Sequence, residues 1–292
     1  MTRETLIIKL GALGDVLRTT PLLSRLPGKL NWVTDKKSLP LLAGHPRLRR
    51  VLTLDSRIPA CDLVINLDED ERACALASKV TASRRIGARM KDGKRVYCDA
   101  SAPWFDMSLI SRLGKEKADA LKRRNRRSYQ ELIFKACGFK FEGEEYWTSL
   151  VPQRGLRSRI GLEERVGDTW PGKAWPGYKA LAELLFRQGL EPVFLRQRSR
   201  LFDYLADLNS CGMVVAGDTF AMHAALALRK PTVCLFTCTS PDEIHGYGRL
   251  TKIVGPDLKR NFYSREPLPD SSMPGLDEVL GAVSETATAG VP

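Results

Sequence analysis

Along the first half of the chain, short apolar runs alternate with stretches whose apolar residues recur at helical spacing. Residues 5–10, 30–34, 50–54 and 62–67 read as strands, and residues 15–26, 36–43 and 69–79 as the helices between them. This alternation is the rhythm of a parallel sheet with helical crossovers. Further on, Ser128 and Glu131 have capping-box spacing at a helix start, and Gly138 ends that helix. Residues 151–158 are polar, contain Pro152 and Gly155 and show no periodicity, which marks a linker. The rhythm then restarts, with strands expected at 160–162, 191–195, 213–216 and 232–236. Helices are expected at 178–188, 201–209, 221–228 and 276–286. The pattern predicts an α/β protein of two Rossmann-like domains, residues 1–150 and 151–292.

Composition narrows the class. With 43% hydrophobic and 27% charged residues over 292 positions, the chain can bury a core without disulfides or structural metal. Only Leu6, Ile7 and Ile8 precede the interruption at Lys9, so no signal-peptide apolar region is expected. No stretch approaches the roughly 20 apolar residues of a membrane span. The expected location is therefore cytoplasmic, with the seven cysteines reduced and acting as small buried hydrophobes.

Charge changes the picture more than composition does. The net charge is +12; residues 1–150 hold 29 Lys and Arg against 18 Asp and Glu, whereas residues 151–292 hold 17 against 16. The clusters Arg84-Arg85-Arg89-Lys91, Lys94-Arg95 and Lys122-Arg123-Arg124 with Arg126-Arg127 all fall in the basic half. Such a field draws phosphate groups on nucleic acid, lipid or a phosphorylated substrate, and any single cluster also suits a solvated face.

Three stretches carry candidate chemistry. Gly11 and Gly14 lie between the first strand and first helix, where glycines permit a tight turn and close approach of an anion to helix N–H groups. Asp15 follows at the carboxyl edge of a strand, where open parallel sheets place ligands; the same Asp also suits a plain N-cap. In the stretch 168–176, Trp170, Pro171 and Pro176 stiffen a loop that carries Thr169 and Lys173, a hydroxyl and an ammonium suited to phosphate. In the third, a buried strand ends at Gly217. Asp218 or Thr219 then caps a helix whose free N–H groups form a diphosphate cradle, with Met222 and His223 one turn in. No Walker Gly-Lys-Ser/Thr, Gly-x-Ser-x-Gly or His-Glu-x-x-His motif is present, and no Asp-x-Asp that would hold a metal on a diphosphate. A metal-free anion site is expected.

These stretches together resemble glycosyltransferase family 9, the heptosyltransferase-like enzymes. The matching residues run from Ile7 through Lys9, Gly11, Gly14 and Asp15 to Pro21, then across 61–67, Gly172 to Pro176, Gly217 to Leu228 and Lys230 to Phe236. The resemblance implies a GT-B fold, two Rossmann-like domains facing a central cleft, with an N-terminal acceptor domain and a C-terminal nucleotide-sugar domain. It implies an inverting, metal-independent transferase moving a sugar, typically heptose from ADP-heptose, to a surface glycan or glycolipid acceptor in lipopolysaccharide biosynthesis. No cofactor is expected beyond that nucleotide-sugar substrate. Within the resemblance Asp15 is the general base, Gly11 and Gly14 form the acceptor and phosphate loop, and Thr169 and Lys173 contact donor phosphate. Asp218, Thr219, Met222 and His223 lie on the loop that holds sugar and diphosphate. The sequence departs from the family pattern at Phe220 and Thr237, both commonly glycine. The loop 196–200 lacks an acidic residue for the donor ribose. The basic half adds an expectation of peripheral contact with anionic membrane at the inner face of the cytoplasmic membrane, without specific nucleic-acid binding. A transferase for another nucleotide sugar, or a non-catalytic phosphate- or nucleic-acid-binding protein, are the alternatives.

Overall fold

In a computed structural model that describes residues 3–289, the chain forms two compact units, Met1–Ser149 and Leu150–Pro292. The first unit carries a six-stranded sheet in the order β3-β2-β1-β4-β5-β6. Its strands are β1 (Glu4–Ile8), β2 (Lys29–Val33), β3 (Leu48–Leu52), β4 (Cys61–Asn66), β5 (Ala82–Lys91) and β6 (Lys94–Tyr97). All pairings are parallel except β5 with β6. The helices are α1 (Leu13–Thr19), α2 (Leu39–Leu42), α3 (Glu71–Lys79), α4 (Ala102–Phe105), α5 (Lys115–Arg124) and α6 (Tyr129–Ala136). Leu6, Ile8, Val33 and Val64 pack against Ala73, Ala77 and Val80 of the α3 region, as expected for central parallel strands buried on both faces.

The sequence pattern placed β1, β2, β4 and α3 well, and local chemistry altered the rest. The helix expected at 15–26 stops at Thr19 and continues as a 3-10 turn, Thr20–Ser24, because Pro21 has no N–H to carry the ladder. Residues 36–43 likewise divide into a 3-10 turn and the short α2, around Pro40. Strands β5 and β6 lie where the sequence pattern shows only basic clusters. They form a hairpin whose two-residue loop, Asp92-Gly93, takes left-handed φ at both positions (50° and 71°). Arg85 of β5 is no solvated cation: it donates to the carbonyls of Ala77, Val80 and Ala82 at 2.9, 2.6 and 3.2 Å, closing the C-terminal end of α3. Gly87 must be glycine, since a Cβ there would lie 1.8 Å from the Asn66 carbonyl oxygen.

The second unit carries a fully parallel sheet, β11-β10-β9-β7-β8. Its strands are β7 (Leu156–Glu163), β8 (Glu191–Phe194), β9 (Cys211–Gly217), β10 (Thr232–Phe236) and β11 (Leu250–Val254). Helices α7 (Tyr178–Arg187), α8 (Leu201–Ser210), α9 (Phe220–Ala227), α10 (Leu258–Asn261) and α11 (Leu276–Ala289) complete it. Strand β7 starts inside the stretch expected to be linker. That stretch is also fastened by Lys230, which is 1% exposed and donates to the carbonyls of Gln153 and Asn209 at 2.5 and 2.6 Å. The cysteines meet the expectation only in part: Cys74, Cys211, Cys234 and Cys238 are buried, but Cys61, Cys98 and Cys137 are partly exposed. Among the described residues no helix is long and apolar enough to cross a membrane.

Candidate active site

In each unit the strand order reverses once, and the candidate residues collect at that point. From β1 the chain runs outward to β2 and β3, then returns to β4 on the other side. Carboxyl ends of strands at such a reversal are where open α/β sheets bind ligands. Just past β1 lies Lys9, just past β4 lies Asp68, and α1 brings Asp15 between them. Lys9 Nζ is 3.6 Å from Asp15 Oδ2 and 3.6 Å from Asp68 Oδ2, and donates to the Leu67 carbonyl at 3.3 Å. Burial works to lower the Lys9 ammonium, but Asp15 and Asp68 together hold it above the ordinary lysine value, so it stays charged. Arg18, one turn along α1, reaches Asp15 Oδ1 at 2.8 Å. Its guanidinium lies over the Tyr129 ring at 4.1 Å and the Trp104 ring at 5.8 Å. The Tyr129 hydroxyl shares a 2.7 Å hydrogen bond with Thr19 Oγ1, and burial keeps its phenol protonated by raising it further than Lys9 and Arg18 lower it.

Asp15 is not an N-cap. Ala12 occupies that position without a side-chain cap, and the Asp15 carboxylate is turned instead to Lys9 and Arg18, with its side chain 32% exposed. Gly11 lies beside Lys37 and Asp35, since a Cβ there would sit 3.3 Å from Lys37 Cε and 3.7 Å from Asp35 Oδ2. The expected tight turn is absent at Gly14, which is buried inside α1. Neither glycine has positive φ. The sequence reading missed Lys9, Arg18, Asp68 and Tyr129; the available signal was a lysine directly ending an otherwise apolar strand.

In the second unit the reversal lies between β7 and β9. β9 ends at Gly217, and Lys173, carried by the 3-10 turn Pro171–Lys173, meets the next residue. Lys173 Nζ donates to Asp218 Oδ2 at 2.9 Å and to the Asp218 carbonyl at 2.5 Å. Both side chains are nearly closed to solvent, at 10% and 14% exposed. Burial works to raise Asp218, but Lys173 and then His223 outweigh it and hold the carboxyl well below the usual range. The loop is rigid: Trp175 Nε1 donates to the Pro274 carbonyl at 2.9 Å, and Thr237 donates to the Gly172 carbonyl at 2.7 Å. Thr237, one of the two departures, thus ties this loop to the end of β10.

Thr219 is the N-cap of α9 and makes no side-chain cap, while its buried Oγ1 has no hydrogen-bond partner among the described residues. The helix start therefore presents uncapped N–H groups beside Lys173. The Met222 side chain is wholly buried, whereas Thr169 is exposed in the turn before Trp170. Phe220, the other departure, packs on Tyr204 with centroids 5.9 Å apart. The Tyr204 hydroxyl donates to Glu163 Oε2 at 2.7 Å, and Arg165 grips both oxygens of Glu163 at 2.8 and 2.7 Å. This second carboxylate cluster at the end of β7 was also missed in the sequence, because Tyr204 reaches Glu163 from 41 residues away.

Two α/β units, each with its polar cluster at a strand-order reversal, define the class as an α/β protein with a GT-B-like fold. Residues 198–266 match the family model of glycosyltransferase family 9 (heptosyltransferase). Among solved structures, the chain is similar to the family 9 glycosyl transferase of Veillonella parvula DSM 2008, at 17% identity, TM-score 0.69 and coverage of 99% of this chain and 98% of that one. It is similar to E. coli heptosyltransferase WaaC with ADP at 18% identity, TM-score 0.64 and coverage of 97% and 99%. For E. coli ADP-heptose lps heptosyltransferase II the values are 15%, 0.60, 98% and 99%. No match is found among curated protein sequences. By sequence, residues 198–266 are similar to glycosyltransferase family 9, and by fold the chain is similar to these solved structures over nearly its full length.

Proposed function

We propose that this protein is an inverting, metal-independent glycosyltransferase that moves heptose from ADP-heptose to a glycan or glycolipid acceptor in lipopolysaccharide assembly. The observation that carries the reading is the start of α9, where the buried Lys173–Asp218 pair, the unpartnered Thr219 hydroxyl and uncapped helix N–H groups converge. Fixed positive charge and aligned donors suit the diphosphate of a nucleotide sugar, and they stabilise the charge that grows as the nucleoside diphosphate leaves. The family 9 match over residues 198–266 includes this helix, and a structural relative is a heptosyltransferase bound to ADP.

The roles follow from the chemistry. The acceptor hydroxyl gives its proton to Asp15 as its oxygen bonds to the anomeric carbon, and the bond from that carbon to the diphosphate oxygen breaks, releasing ADP. Attack opposite the leaving group inverts the centre. Lys173 and the α9 amides take the diphosphate, Asp218 and His223 face the sugar, and Thr169 adds a hydroxyl at the rim. Arg18 and Lys9 keep the Asp15 carboxylate in place.

Location is part of the same proposal: cytoplasmic, with peripheral contact at the anionic inner face of the cytoplasmic membrane. Helix α5 supports it. Only Ala118 of its residues is buried, its last turn holds Lys122, Arg123 and Arg124, and Leu109 and Leu113 just before it are 76% and 41% exposed. Basic residues flanking exposed leucines match a bilayer surface.

The experiment is a thermal-shift series with ADP-heptose, ADP-glucose, UDP-glucose and GDP-mannose. A ligand present at 100 times its dissociation constant stabilises the protein by about 2.7 kcal/mol. ADP-heptose standing clear of the others supports the reading. A larger shift with a different nucleotide sugar replaces the donor, and salt-sensitive binding to nucleic acid with no shift from any nucleotide sugar replaces the reading by a non-catalytic one.

A further inference from the structure

One ammonium serves two carboxylates in the first unit. Lys9 Nζ is equally distant, at 3.6 Å, from Asp15 and from Asp68. Asp68 is itself locked in place. Its Oδ2 accepts the Leu10 N–H at 3.0 Å, its Oδ1 accepts the Asp70 N–H at 3.1 Å, and its own N–H donates to Asn66 Oδ1 at 3.0 Å. These bonds join the ends of β1 and β4 to the start of α3. Asp68 is only 6% exposed, and Lys9 is buried to the same extent.

The charges facing Asp15 come from several elements. Lys9 follows β1, Arg18 lies on the same helix at 2.8 Å, and Tyr129 comes from α6 with its phenol protonated. Asp35 and Lys37 stand beside Gly11 at the head of the helix, and Arg72 of α3 lies within the field of Asp35 and Asp68. Two cations directly on a carboxylate weaken it as a proton acceptor. A negative charge that draws on one of those cations restores part of that capacity.

We propose that Asp68 is a positioning residue for Asp15, anchoring Lys9 midway so that its charge is divided and the Asp15 carboxylate is held in place yet able to accept a proton. The significance for turnover rests on Asp15 being the general base; the electrostatic claim rests on the first unit alone. The two carboxylates are at most about 7 Å apart through Lys9. At that separation, loss of one negative charge displaces the titration of the other by about 0.4 pH unit in a water-like medium and about 1.7 at an effective dielectric of 20.

The sign differs for the two partners. Removing Asp68 leaves the whole Lys9 charge on Asp15 and moves its titration to lower pH. Removing Lys9 takes away a cation and moves it to higher pH. A merely structural Asp68 predicts a loss of stability with no such opposed pair.

The test is a ¹³C NMR titration of the full-length protein carrying carboxyl-labelled aspartate, with the Asp15 signal assigned by its absence in Asp15→Asn. The expected midpoint is lower by about half a unit or more in Asp68→Asn and higher by a similar amount in Lys9→Met. An Asp15 midpoint unmoved or raised in Asp68→Asn, or unmoved or lowered in Lys9→Met, overturns the proposal. Should Asp68→Asn fail to fold, the Lys9→Met arm decides, because an unmoved or lowered midpoint there is fatal by itself. Turnover by Asp15→Asn separates the two claims. An active Asn variant removes Asp15 as base without touching the titration, whereas an inactive one with an unmoved titration overturns only the role of Asp68.

Discussion

Replacing Lys173 by methionine separates the stabilising work of that residue from the ligand-binding role proposed for it. The ammonium lies 2.9 Å from Asp218 Oδ2 with both side chains largely buried. At an effective dielectric of 20 the gross attraction at that distance is about 6 kcal/mol, and most of it offsets the cost of taking two ions out of water. Truncating one partner leaves the other charge buried alone, which costs about 3–5 kcal/mol. That is a large fraction of the roughly 5–15 kcal/mol that holds a folded protein together. The loss should appear locally, so the assay is hydrogen exchange by mass spectrometry over β9, β10 and α9, with the first unit as an internal control. Asp218→Asn in the Lys173→Met background removes the stranded charge and should restore most of the protection. ADP binding should not return, because the cation is still missing. The reasoning is refuted if Lys173→Met exchanges like the wild type. It is equally refuted if the double variant is as destabilised as the two single losses added together, since coupled neighbours do not add.

Three further outcomes follow from the same structure. Burial and then Arg47 hold His45 down to about 4, against an ordinary 6.5. The folded state therefore resists protonation that the unfolded chain accepts, and up to about 3 kcal/mol of stability is lost as pH falls from 6.5 toward 4. Urea unfolding of wild type and His45→Gln at pH 7 and 4.5 checks this, and equal pH dependence in both contradicts it. If Lys173 and the α9 amides carry the diphosphate, EDTA leaves turnover of ADP-heptose unchanged; a loss that magnesium or manganese restores would show a metal in that role. For the membrane surface, Lys117, Arg123, Arg124 and Arg127 changed together to glutamine should weaken sedimentation with phosphatidylglycerol vesicles by about fivefold per residue at low salt. Arg85 is left unchanged because it closes α3, and equal binding of variant and wild type would reduce α5 to a solvated face.

Much of the fold could be read from the order of residues because the parallel strands are buried on both faces. Runs such as Leu6-Ile7-Ile8 and Leu63-Val64-Ile65 are continuous in apolar residues and buried throughout, as strands covered on both faces are. Edge elements were harder. Strand β5, next to the edge strand, carries Arg84 and Arg85 behind Ala82 and Ser83, and its charges hid the hairpin even though Asp92-Gly93 is a strong turn signal. Prolines at 21 and 40 cut helices that apolar spacing alone extended. At the candidate site, Asp15, Lys173, Asp218 and Thr219 were singled out by their place between a strand and a helix. Leu10 and Asp68, separated by 58 residues, and Glu163 and Tyr204, separated by 41, meet only when strands pair and helices pack, and the first meeting brings Lys9 to Asp68. Local pattern holds no record of such meetings. Gly14 illustrates the reverse error, a turn residue by type that the packing of α1 takes into a helix.

The central claim is glycosyl transfer with Asp15 as proton acceptor, and it is tested most directly by single-turnover release of ADP from ADP-heptose, with heptose-deficient lipopolysaccharide as acceptor. Wild type and Asp15→Asn are compared after donor affinity has been measured for each. The account predicts nearly equal donor affinity, because the groups that take the diphosphate belong to the second unit, and a rate lower in the variant by about 10²- to 10⁴-fold. Asparagine nearly preserves the size of the side chain, so a loss of fold does not explain that difference. An Asn variant that releases ADP at the wild-type rate contradicts the account.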